Sequence, residues 1–308
     1  MAQLQNTTID STGFLKLPTG TTAQRPASPA AGMIRYNTSF DLPEVYNGTA
    51  WTDPGTGLPI TEIGNHKNFP AKSAKHLQSV IGNTVGWYYV DVFKDGNPKL
   101  VYINNVFDGG GYYLVLQNRQ NFGGMTFLRY SEATGGNQVF RSNQSFQPQA
   151  GSAISDFTLW TGMRMWQALT QGKGQSGSGG GRVVVFSANS PVQLDATGSH
   201  VERSIATYTG FTTSGSQQWI FQGTSQVSNT VGAPGFITFA MSNGKGLTTT
   251  DRDVDDNPDN CANFYDGQPY WYTSCWSGNP WGFSANDGAY WTGSSSAQRR
   301  PYYAIYVR

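Results

Sequence analysis

The stretch 248–282 combines an acidic loop, both cysteines of the chain and a dense set of aromatic rings. Asp251, Asp253 and Asp255 occupy alternate positions, so a tight loop can turn several carboxylates inward. Calcium takes six to eight oxygen ligands from carboxylates, carbonyls and water. The sixth and twelfth positions from Asp251 are not the Gly and Glu of an EF-hand. From the residues alone, a calcium loop and a solvated acidic turn both remain open.

The chain has only two cysteines, Cys261 and Cys275, and they are close enough in sequence to close a short loop. A disulfide over a loop of about 15 residues contributes ~3 kcal/mol in the chain-entropy model. The alternative is two buried free thiols, since cysteine often acts as a small apolar side chain. A zinc site would need further ligands, and no histidine lies nearby in the sequence.

Five large rings lie within or just after the segment between the cysteines: Tyr270, Trp271, Tyr272, Trp276 and Trp281. We expect this number of rings to exceed what one local core can bury. Exposed rings beside a cross-linked loop favour a binding pocket with apolar walls.

Two other runs have a characteristic order. The first places Asp108-Gly109-Gly110-Gly111-Tyr112 shortly after Val101-Tyr102, and the second is the run CWSGNPWG at 275–282. With the acidic loop between them, they resemble the beginning and end of a fibrinogen-like recognition domain. The resemblance covers roughly residues 85 to 308, and the two ends in the right order are more specific than either run alone.

The resemblance implies a calcium site before the first cysteine of the pair. The matching positions are Asp253 and Asp255 as carboxylate ligands, with Asn257 and Asp259 supplying backbone carbonyls. It also implies that the two cysteines form a disulfide.

Lectin-like members of this family bind acetylated sugars in an aromatic pocket beside the second cysteine. The matching positions here are Tyr272, Ser274, Cys275, Trp276 and Tyr290. The family often has a cis peptide before that cysteine, which predicts one at Ser274–Cys275. The chain departs from the pattern at Trp276, where the family often has His, and at Ile103, where it has an early cysteine.

Composition is typical of a loop-rich β protein that binds by hydrogen bonds and stacking, and the resemblance implies an α+β fold with a central antiparallel sheet. Charged residues make up 13% of the chain, well below the usual ~25%, while 38 residues are Gly and 14% are aromatic. A net charge of +1 argues against a nucleic-acid surface. No apolar run is long enough to span a bilayer, and no secretory signal opens the chain. A disulfide is typical of proteins in an oxidising environment. Assembly in a cytoplasm followed by exposure outside the cell would reconcile a disulfide with the lack of a secretory signal.

Residues 1–57 have a different character. Met33–Asn37 and Glu44–Trp51 read as two short strands, and Asn47-Gly48 marks a turn. The runs GTTAQRP, GMIRYN and EVYNGTAW resemble a recurrent module of bacteriophage tail-fibre proteins. The resemblance implies an extended, β-rich arm that attaches to other virion proteins and joins three identical copies. The alternative is an ordinary extended linker.

Residues 58–84 are expected to link this arm to the recognition domain at 85–308. Ser73–Ile81 has the pattern of a short helix, and His66 and His76 are expected on a solvated face. Elsewhere an antiparallel order is predicted. The strands are Trp87–Phe93, Leu100–Val106, Tyr112–Gln117, Arg182–Ser187, Trp219–Gly223 and Tyr302–Val307, and a helix lies within Phe157–Leu169.

Enzymatic chemistry finds little support, and we expect a non-enzyme. The four Glu residues lie in unlike contexts, and no nucleophile elbow accompanies His200. The sequence therefore predicts a virion fibre or receptor-binding protein that recognises host surface glycan with calcium as cofactor. A structural capsid-decoration or neck protein is the alternative, and a polysaccharide depolymerase is third.

Overall fold

The computed structural model describes most of the chain from residue 15 onward. The described residues are 15–118, 129–141, 149–150, 158–169, 181–188, 202–214, 218–229, 244–264, 267–272, 274–275, 289–291, 298–300 and 302–308.

The N-terminal part forms a small four-stranded sheet in the order β1-β2-β3-β4. β1 pairs with β2 in parallel, and the other neighbours are antiparallel. The turn at Asn47-Gly48 ends β3, with Gly48 at a φ of 102°, so the second predicted strand is divided into two. The strands are β1 (Thr19–Gly20), β2 (Ile34–Asn37), β3 (Leu42–Tyr46) and β4 (Trp51–Thr52).

A charged network fills the inner face of this small sheet. The carboxylate of Glu44 is fully buried and accepts hydrogen bonds from Arg25 Nε at 3.1 Å and Nη2 at 2.5 Å. It also accepts one from Asn37 Nδ2 at 3.0 Å, and Arg35 Nε lies 3.7 Å from it. The Arg25 guanidinium is 5.6 Å from the ring centroid of Phe40. The interior of the sheet is therefore held by paired charges.

Residues 58–84, predicted to link the two parts of the chain, are folded and contribute several side chains to the core. Ile60, Ile63 and Leu77 are buried, and they share one apolar cluster with Phe40 of the N-terminal sheet. The predicted helix is confirmed as α1 (Ala74–Ile81), which Ser73 caps by accepting a hydrogen bond from the His76 N–H at 3.1 Å.

The N-terminal sheet is fixed to α1 by polar contacts as well. Lys72 Nζ lies 2.6 Å from the Asp41 carboxylate. His76 Nε2 donates to the Phe40 carbonyl at 2.8 Å, and its Nδ1 accepts from the Lys72 N–H at 3.2 Å. His76 is thus partly buried at the junction, which corrects the expectation of a solvated histidine.

The main body is a nine-stranded sheet among the described residues. Its order is β12-β11-β10-β15-β7-β6-β5, with β9 beside the second half of β7 and β8 beside β9. All of these pairs are antiparallel. The strands are β5 (Val85–Val90), β6 (Lys99–Asn104), β7 (Tyr112–Asn118), β8 (Val139–Arg141), β9 (Thr158–Trp160), β10 (Gly181–Ala188), β11 (Glu202–Ser214), β12 (Gln218–Asn229) and β15 (Tyr302–Val307).

The glycine loop between β6 and β7 is tied to the last strand. Arg308 Nη1 donates to the carbonyls of Asp108 and Gly110 at 2.6 and 3.0 Å, and Arg182 Nη1 lies 2.8 Å from the Asp108 carboxylate. Partial burial alone would raise the pKa of Asp108, but hydrogen bonds from Tyr112 and Arg182 and the charge of Arg308 bring it below its usual value. These contacts fix the glycine loop to Arg182 and to Arg308, which follows β15, at one end of the sheet.

Short helices complete the fold, and none in the described part of the chain is long and apolar enough to cross a membrane. The predicted helix within 157–169 is confirmed in its second half, whereas its first half contains β9. The described elements that remain are α2 (Tyr130–Thr134), α3 (Met163–Leu169), α4 (Cys261–Phe264), β13 (Ala289–Trp291) and β14 (Gln298–Arg300).

Candidate binding site

The acidic loop is a chain of side-chain-to-backbone turns. Asp255 Oδ1 accepts the Asn257 N–H at 3.0 Å, and Asn257 Oδ1 accepts the Asp259 N–H at 2.9 Å. Asp255 Oδ2 accepts the Cys261 N–H at 3.1 Å, so the same carboxylate reaches the start of α4. These bonds arise because Asp and Asn side chains readily bond backbone N–H groups two residues on. They fix the path of the loop from Asp255 to the cysteine.

The structure separates the acidic residues of this loop by role. Asp251 Oδ1 accepts the Tyr130 N–H at 2.8 Å and the Thr249 hydroxyl at 2.7 Å, which ties the loop to α2. Asp256 pairs with Lys245 at the rim. Asp253 and Asp255 remain as a neighbouring pair, in which Asp253 Oδ1 accepts the Asp255 N–H at 3.4 Å.

Asp255 is in an unfavourable electrostatic environment. Partial burial raises its pKa, hydrogen bonds from the N–H groups of Asn257 and Cys261 lower it, and the neighbouring Asp253 raises it again, with a net rise. A raised carboxyl pKa beside a second carboxylate means that the ionised pair lacks a compensating positive charge. A bound cation would supply that charge.

The donor set fits a hard cation. No group of three or more His, Cys, Asp or Glu side chains that could hold a metal occurs in the described part of the chain. Two carboxylates from Asp253 and Asp255, with further oxygens from the Asn257 and Asp259 carbonyls and water, are ligands that calcium accepts and zinc does not prefer. Each Asp255 oxygen has a second lone pair beyond the hydrogen bond that it accepts.

The predicted disulfide is confirmed. Cys261 and Cys275 are bonded, with their Cα atoms 4.9 Å apart. The bond joins the first residue of α4 to the segment that follows the aromatic triplet. Because Asp255 bonds the N–H of Cys261, the acidic loop and the second cysteine are connected through one residue.

The expectation of exposed rings at 270–272 is wrong. Tyr270, Trp271 and Tyr272 have no exposed surface. The Trp271 ring centroid lies 6.1 Å from that of Trp160 on β9 and 5.9 Å from that of Trp166 on α3. Distant parts of the chain thus supply the partners that the local sequence lacks, and the triplet belongs to the apolar core.

Polar atoms of these rings are also bonded inside the protein. Trp271 Nε1 donates to the Trp219 carbonyl at 2.9 Å, and the Tyr272 hydroxyl donates to the Gln268 carbonyl at 3.0 Å. With its side chain fully buried, Tyr272 offers no face for stacking on a sugar. Its assignment to the glycan site stays a prediction.

The backbone at the second cysteine has an unusual φ angle, whereas the sequence predicted an unusual peptide bond. The described peptide bonds are all trans, so the cis bond expected at Ser274–Cys275 is absent. Cys275 instead adopts a φ of 50°, a conformation that L-residues rarely take. The adjacent Ser274 is exposed.

Tyr290 and Trp276 are the other two residues predicted to bind sugar. Tyr290 lies on β13, where its backbone is paired with that of Arg299 on β14. Trp276 lies outside the described residues. The structure therefore brings the predicted calcium ligands, the disulfide and Ser274 into one connected segment.

Sequence reasoning missed the polar contacts that anchor this segment from outside. The main ones are the bond from the Tyr130 N–H to Asp251 and the Arg252 guanidinium, which lies 4.6 Å from the centroid of the Tyr130 ring. Tyr130 precedes Asp251 by 121 residues. No local pattern signals a contact over that separation.

The main sheet, the glycine loop fixed to its last strand, and the acidic loop that leads into the disulfide define a globular domain. The family model for the C-terminal globular domain of fibrinogen beta and gamma chains matches residues 73–298, so the chain belongs to the fibrinogen C-terminal domain family. That match begins one residue before α1, and the apolar core extends further, to Phe40 of the N-terminal sheet.

Solved structures have the same fold. The human fibrinogen-like globe domain of ANGPTL6 is similar at 19% identity and a TM-score of 0.54, over 78% of this chain and 95% of that one. The corresponding human domain of ANGPTL2 is similar at 20% identity and a TM-score of 0.52, over 78% and 99%. Lamprey fibrin D-dimer, complexed with the peptide ligand Gly-His-Arg-Pro-amide, is similar at 15% and 0.52, over 77% and 73%.

Proposed function

We propose that this protein is a receptor-binding component of a bacteriophage virion and that its fibrinogen-like domain recognises glycan on the host surface. The observation that carries the proposal is the link from Asp255 to Cys261. A cation held by Asp253 and Asp255 would stiffen the loop that leads into the disulfide, and through it the backbone at Ser274 and Cys275.

The chemistry of binding follows from this arrangement. Ser274 supplies an exposed hydroxyl, and Trp276 and Tyr290 are the rings assigned to stack on apolar sugar faces. Hydrogen bonds and stacking suit a neutral acetylated sugar, and the low charge of the chain agrees with an uncharged ligand. The fold can hold small ligands, since the similar lamprey protein is complexed with a short peptide amide.

The N-terminal sheet has the role of attachment in this proposal. Its sequence resembles tail-fibre modules, and we assign it contacts with other virion proteins and with two further copies of the chain. Several weak sugar sites on one particle would then act together, which raises avidity without any new contact. The protein is assembled in the host cytoplasm and exposed to the outside on the virion.

The first test is binding by the chain of residues 1–308, because the shared core includes Phe40. The chain is titrated with calcium by calorimetry and then applied to acetylated glycans and host cells with calcium or with chelator. We expect one calcium site, saturable glycan binding, and loss of that binding on chelation.

Asp253→Ala is the diagnostic substitution. We expect it to weaken both calcium and glycan binding at least about tenfold, which corresponds to ~1.4 kcal/mol or more. Asp256→Asn is the matched control, because Asp256 is in the same loop but pairs with Lys245 at the rim. Equal losses in the two variants would contradict the calcium assignment.

The outcomes separate the candidate functions. Calcium binding without glycan binding would favour the structural capsid-decoration or neck role, in which the domain makes only protein contacts. Release of reducing ends from host polysaccharide would favour a depolymerase. Saturable, chelator-sensitive binding without such release supports the proposal.

A further inference from the structure

The turn that joins β3 to β4 contains an Asn-Gly pair. Asn47 and Gly48 are both exposed, and Gly48 adopts a φ of 102°. The side-chain carbonyl carbon of an asparagine can be attacked by the backbone nitrogen of the next residue, and glycine has no side chain to hinder the approach. The same pair occurs at 243–244, where the asparagine lies outside the described residues.

The side-chain oxygen of Asn47 accepts three hydrogen bonds. The donors are the Thr49 N–H at 2.9 Å, the Thr49 hydroxyl at 2.8 Å and the Ala50 N–H at 2.9 Å. The Asn47 N–H donates to the Ala50 carbonyl at 3.1 Å, which closes the turn. The side-chain carbonyl is therefore held against the backbone that follows it.

The number of donors suits a reaction intermediate better than it suits the amide. An amide oxygen has two lone pairs, whereas the oxyanion formed when a nucleophile adds to the carbonyl carbon has one more. Three donors at 2.8 and 2.9 Å thus match the oxyanion that would form on the Asn47 side chain. Contacts that strengthen as the charge develops accelerate a reaction.

The atoms that would react are accessible. Within the described part of the chain, neither the Gly48 N–H nor the Asn47 Nδ2 takes part in a hydrogen bond. The Gly48 nitrogen can therefore lose its proton to hydroxide without breaking a contact. The Asn47 amide nitrogen can leave without breaking one either.

We propose that Asn47 is a site of self-modification, at which the folded turn promotes conversion of the asparagine to aspartate and isoaspartate. The deprotonated Gly48 nitrogen bonds to Asn47 Cγ, the Cγ–Nδ2 bond breaks, and the amide nitrogen takes up a proton and leaves as ammonia. Water then opens the resulting succinimide ring at either carbonyl. Overall a water molecule is consumed and an ammonia molecule is released, and no other reactant is needed.

A second turn in the chain shows how the aspartate product would fit. Asp53 Oδ1 accepts the N–H groups of Gly55 and Thr56 at 3.1 and 2.7 Å and the Thr56 hydroxyl at 2.9 Å. A carboxylate thus fits a turn with the same kinds of donor. We expect aspartate at position 47 to preserve the turn, whereas isoaspartate lengthens the main chain inside it.

The longer main chain of isoaspartate would disturb the residues on either side of the turn. Tyr46 and Trp51 pair across β3 and β4, and their ring centroids are 5.5 Å apart. The Arg25 guanidinium lies 5.5 Å from the Trp51 ring centroid and also pairs with the buried Glu44. The isoaspartate form should therefore have the less stable N-terminal sheet.

The test follows conversion in the chain of residues 1–308 at mildly alkaline pH, either folded or unfolded in urea. Peptide mass spectrometry, with fragmentation that separates aspartate from isoaspartate, gives the rate at each asparagine. We expect conversion at position 47 to be several-fold faster in the folded chain than in urea. Conversion at position 243 in urea is the reference for an Asn-Gly pair without a folded turn.

Thr49→Val is the diagnostic substitution, because it removes the hydroxyl donor and keeps the N–H. We expect it to slow conversion at position 47 by about tenfold, since loss of one such donor costs ~100-fold in an enzyme site and less in an exposed turn. Thr49→Ser keeps a hydroxyl and should retain the wild-type rate. Thr56→Val is the matched control, because it removes the equivalent hydroxyl beside Asp53 and should leave the rate unchanged.

Each comparison can overturn the inference. Conversion at position 47 that is no faster in the folded chain than in urea would show that the turn does not promote the reaction. Equal rates for wild type and Thr49→Val, or equal slowing by Thr49→Val and Thr56→Val, would exclude the role of the donors. The assay contains neither calcium nor glycan, so its outcome is separate from that of the proposed recognition role.

Discussion

Glu44 shows how much a single buried charge determines in this molecule. Its carboxylate is enclosed by Arg25, Arg35 and Asn37, and its side chain has no exposed surface. Replacing one member of such a set leaves the others buried without compensation.

We expect Glu44→Gln to lower the free energy of unfolding of the N-terminal sheet by about 3–5 kcal/mol. Urea unfolding followed by Trp fluorescence measures the loss. Glu62→Gln is the control, because Glu62 and its partner His66 lie 3.8 Å apart with side chains 42% and 48% exposed. It should cost less than about 1 kcal/mol. Similar losses in the two variants would show that the burial of the Glu44 carboxylate does not determine how much stability is lost.

Gly110 in the glycine loop is a second residue with a distinct requirement. Its φ is +75°, and a Cβ there would lie 2.7 Å from the carbonyl oxygen of Asn105. Gly96 has nearly the same φ of +74° but has nothing within 4 Å of the Cβ position. The two glycines therefore separate the cost of the backbone conformation from the cost of crowding.

We expect Gly96→Ala to lower the free energy of unfolding by ~1–2 kcal/mol through backbone conformation alone. Gly110→Ala should lower it by about 3 kcal/mol or more, because the backbone of Asn105 must also move. Equal values from denaturant unfolding would mean that the loop adapts without strain.

At the scale of elements, the disulfide closes a segment that contains α4 and the aromatic triplet. Its cysteines are 14 residues apart. The closed loop restricts the unfolded chain more than the folded one, because the triplet is already held by Trp160 and Trp166.

The double substitution Cys261→Ala and Cys275→Ala should lower the free energy of unfolding by ~3 kcal/mol. Calorimetric unfolding with and without reductant gives the same comparison in the wild-type chain. A variant as stable as the wild type would mean that the bond contributes nothing to the folded state, and the prediction would be wrong.

Elements set by neighbouring residues could be predicted from sequence. The helix at α1 follows from Ser73 as cap and from apolar residues on one face, and β15 follows from the short run of aromatic and aliphatic residues at 302–307. The burial of Trp271 could not be predicted, because its partners lie in β9, α3 and β12. The buried charges of the N-terminal sheet were missed for the same reason.

The candidate site was predictable to a similar degree. The cysteine pair and the order of acidic residues mark the segment, and the structure agrees on the disulfide. The separate contacts of the acidic residues depend on partners outside the loop. Asp251 accepts a hydrogen bond from the Tyr130 N–H, and Asp256 pairs with Lys245. Sequence spacing alone gives no information on such partners.

At the scale of the whole molecule, one apolar core joins the N-terminal sheet, the connecting residues and the main sheet. It includes Phe40, Ile60 and Ile305. His76 stands at the joint, with one nitrogen donating to the Phe40 carbonyl and the other accepting from the Lys72 N–H. Neutral imidazole fits both partners, whereas the protonated form would meet an N–H with an N–H.

Burial lowers the pKa of His76 below its ordinary value of 6.5; the Phe40 carbonyl raises it in part, and the charge of Lys72 lowers it further. The folded state therefore prefers neutral His76. Its stabilising contribution is complete above about pH 6.5 and is lost as the pH falls, because the unfolded chain takes up the proton first.

We expect the free energy of unfolding to decline between pH 7 and about pH 5, and His76→Gln to make this decline shallower. His66→Gln, at an exposed position, is the control. Parallel pH profiles for wild type and His76→Gln would contradict the assignment of the joint to His76.

The place of β15 in the sheet has a consequence for how the protein is made. Residues 302–307 lie between β10 and β7, so two parts of the sheet meet only through a strand that is translated after both of them. Until it emerges from the ribosome, each part presents an open edge to other nascent chains. Closure of the sheet thus follows synthesis, and a truncated product would be a source of aggregates rather than of partly active protein.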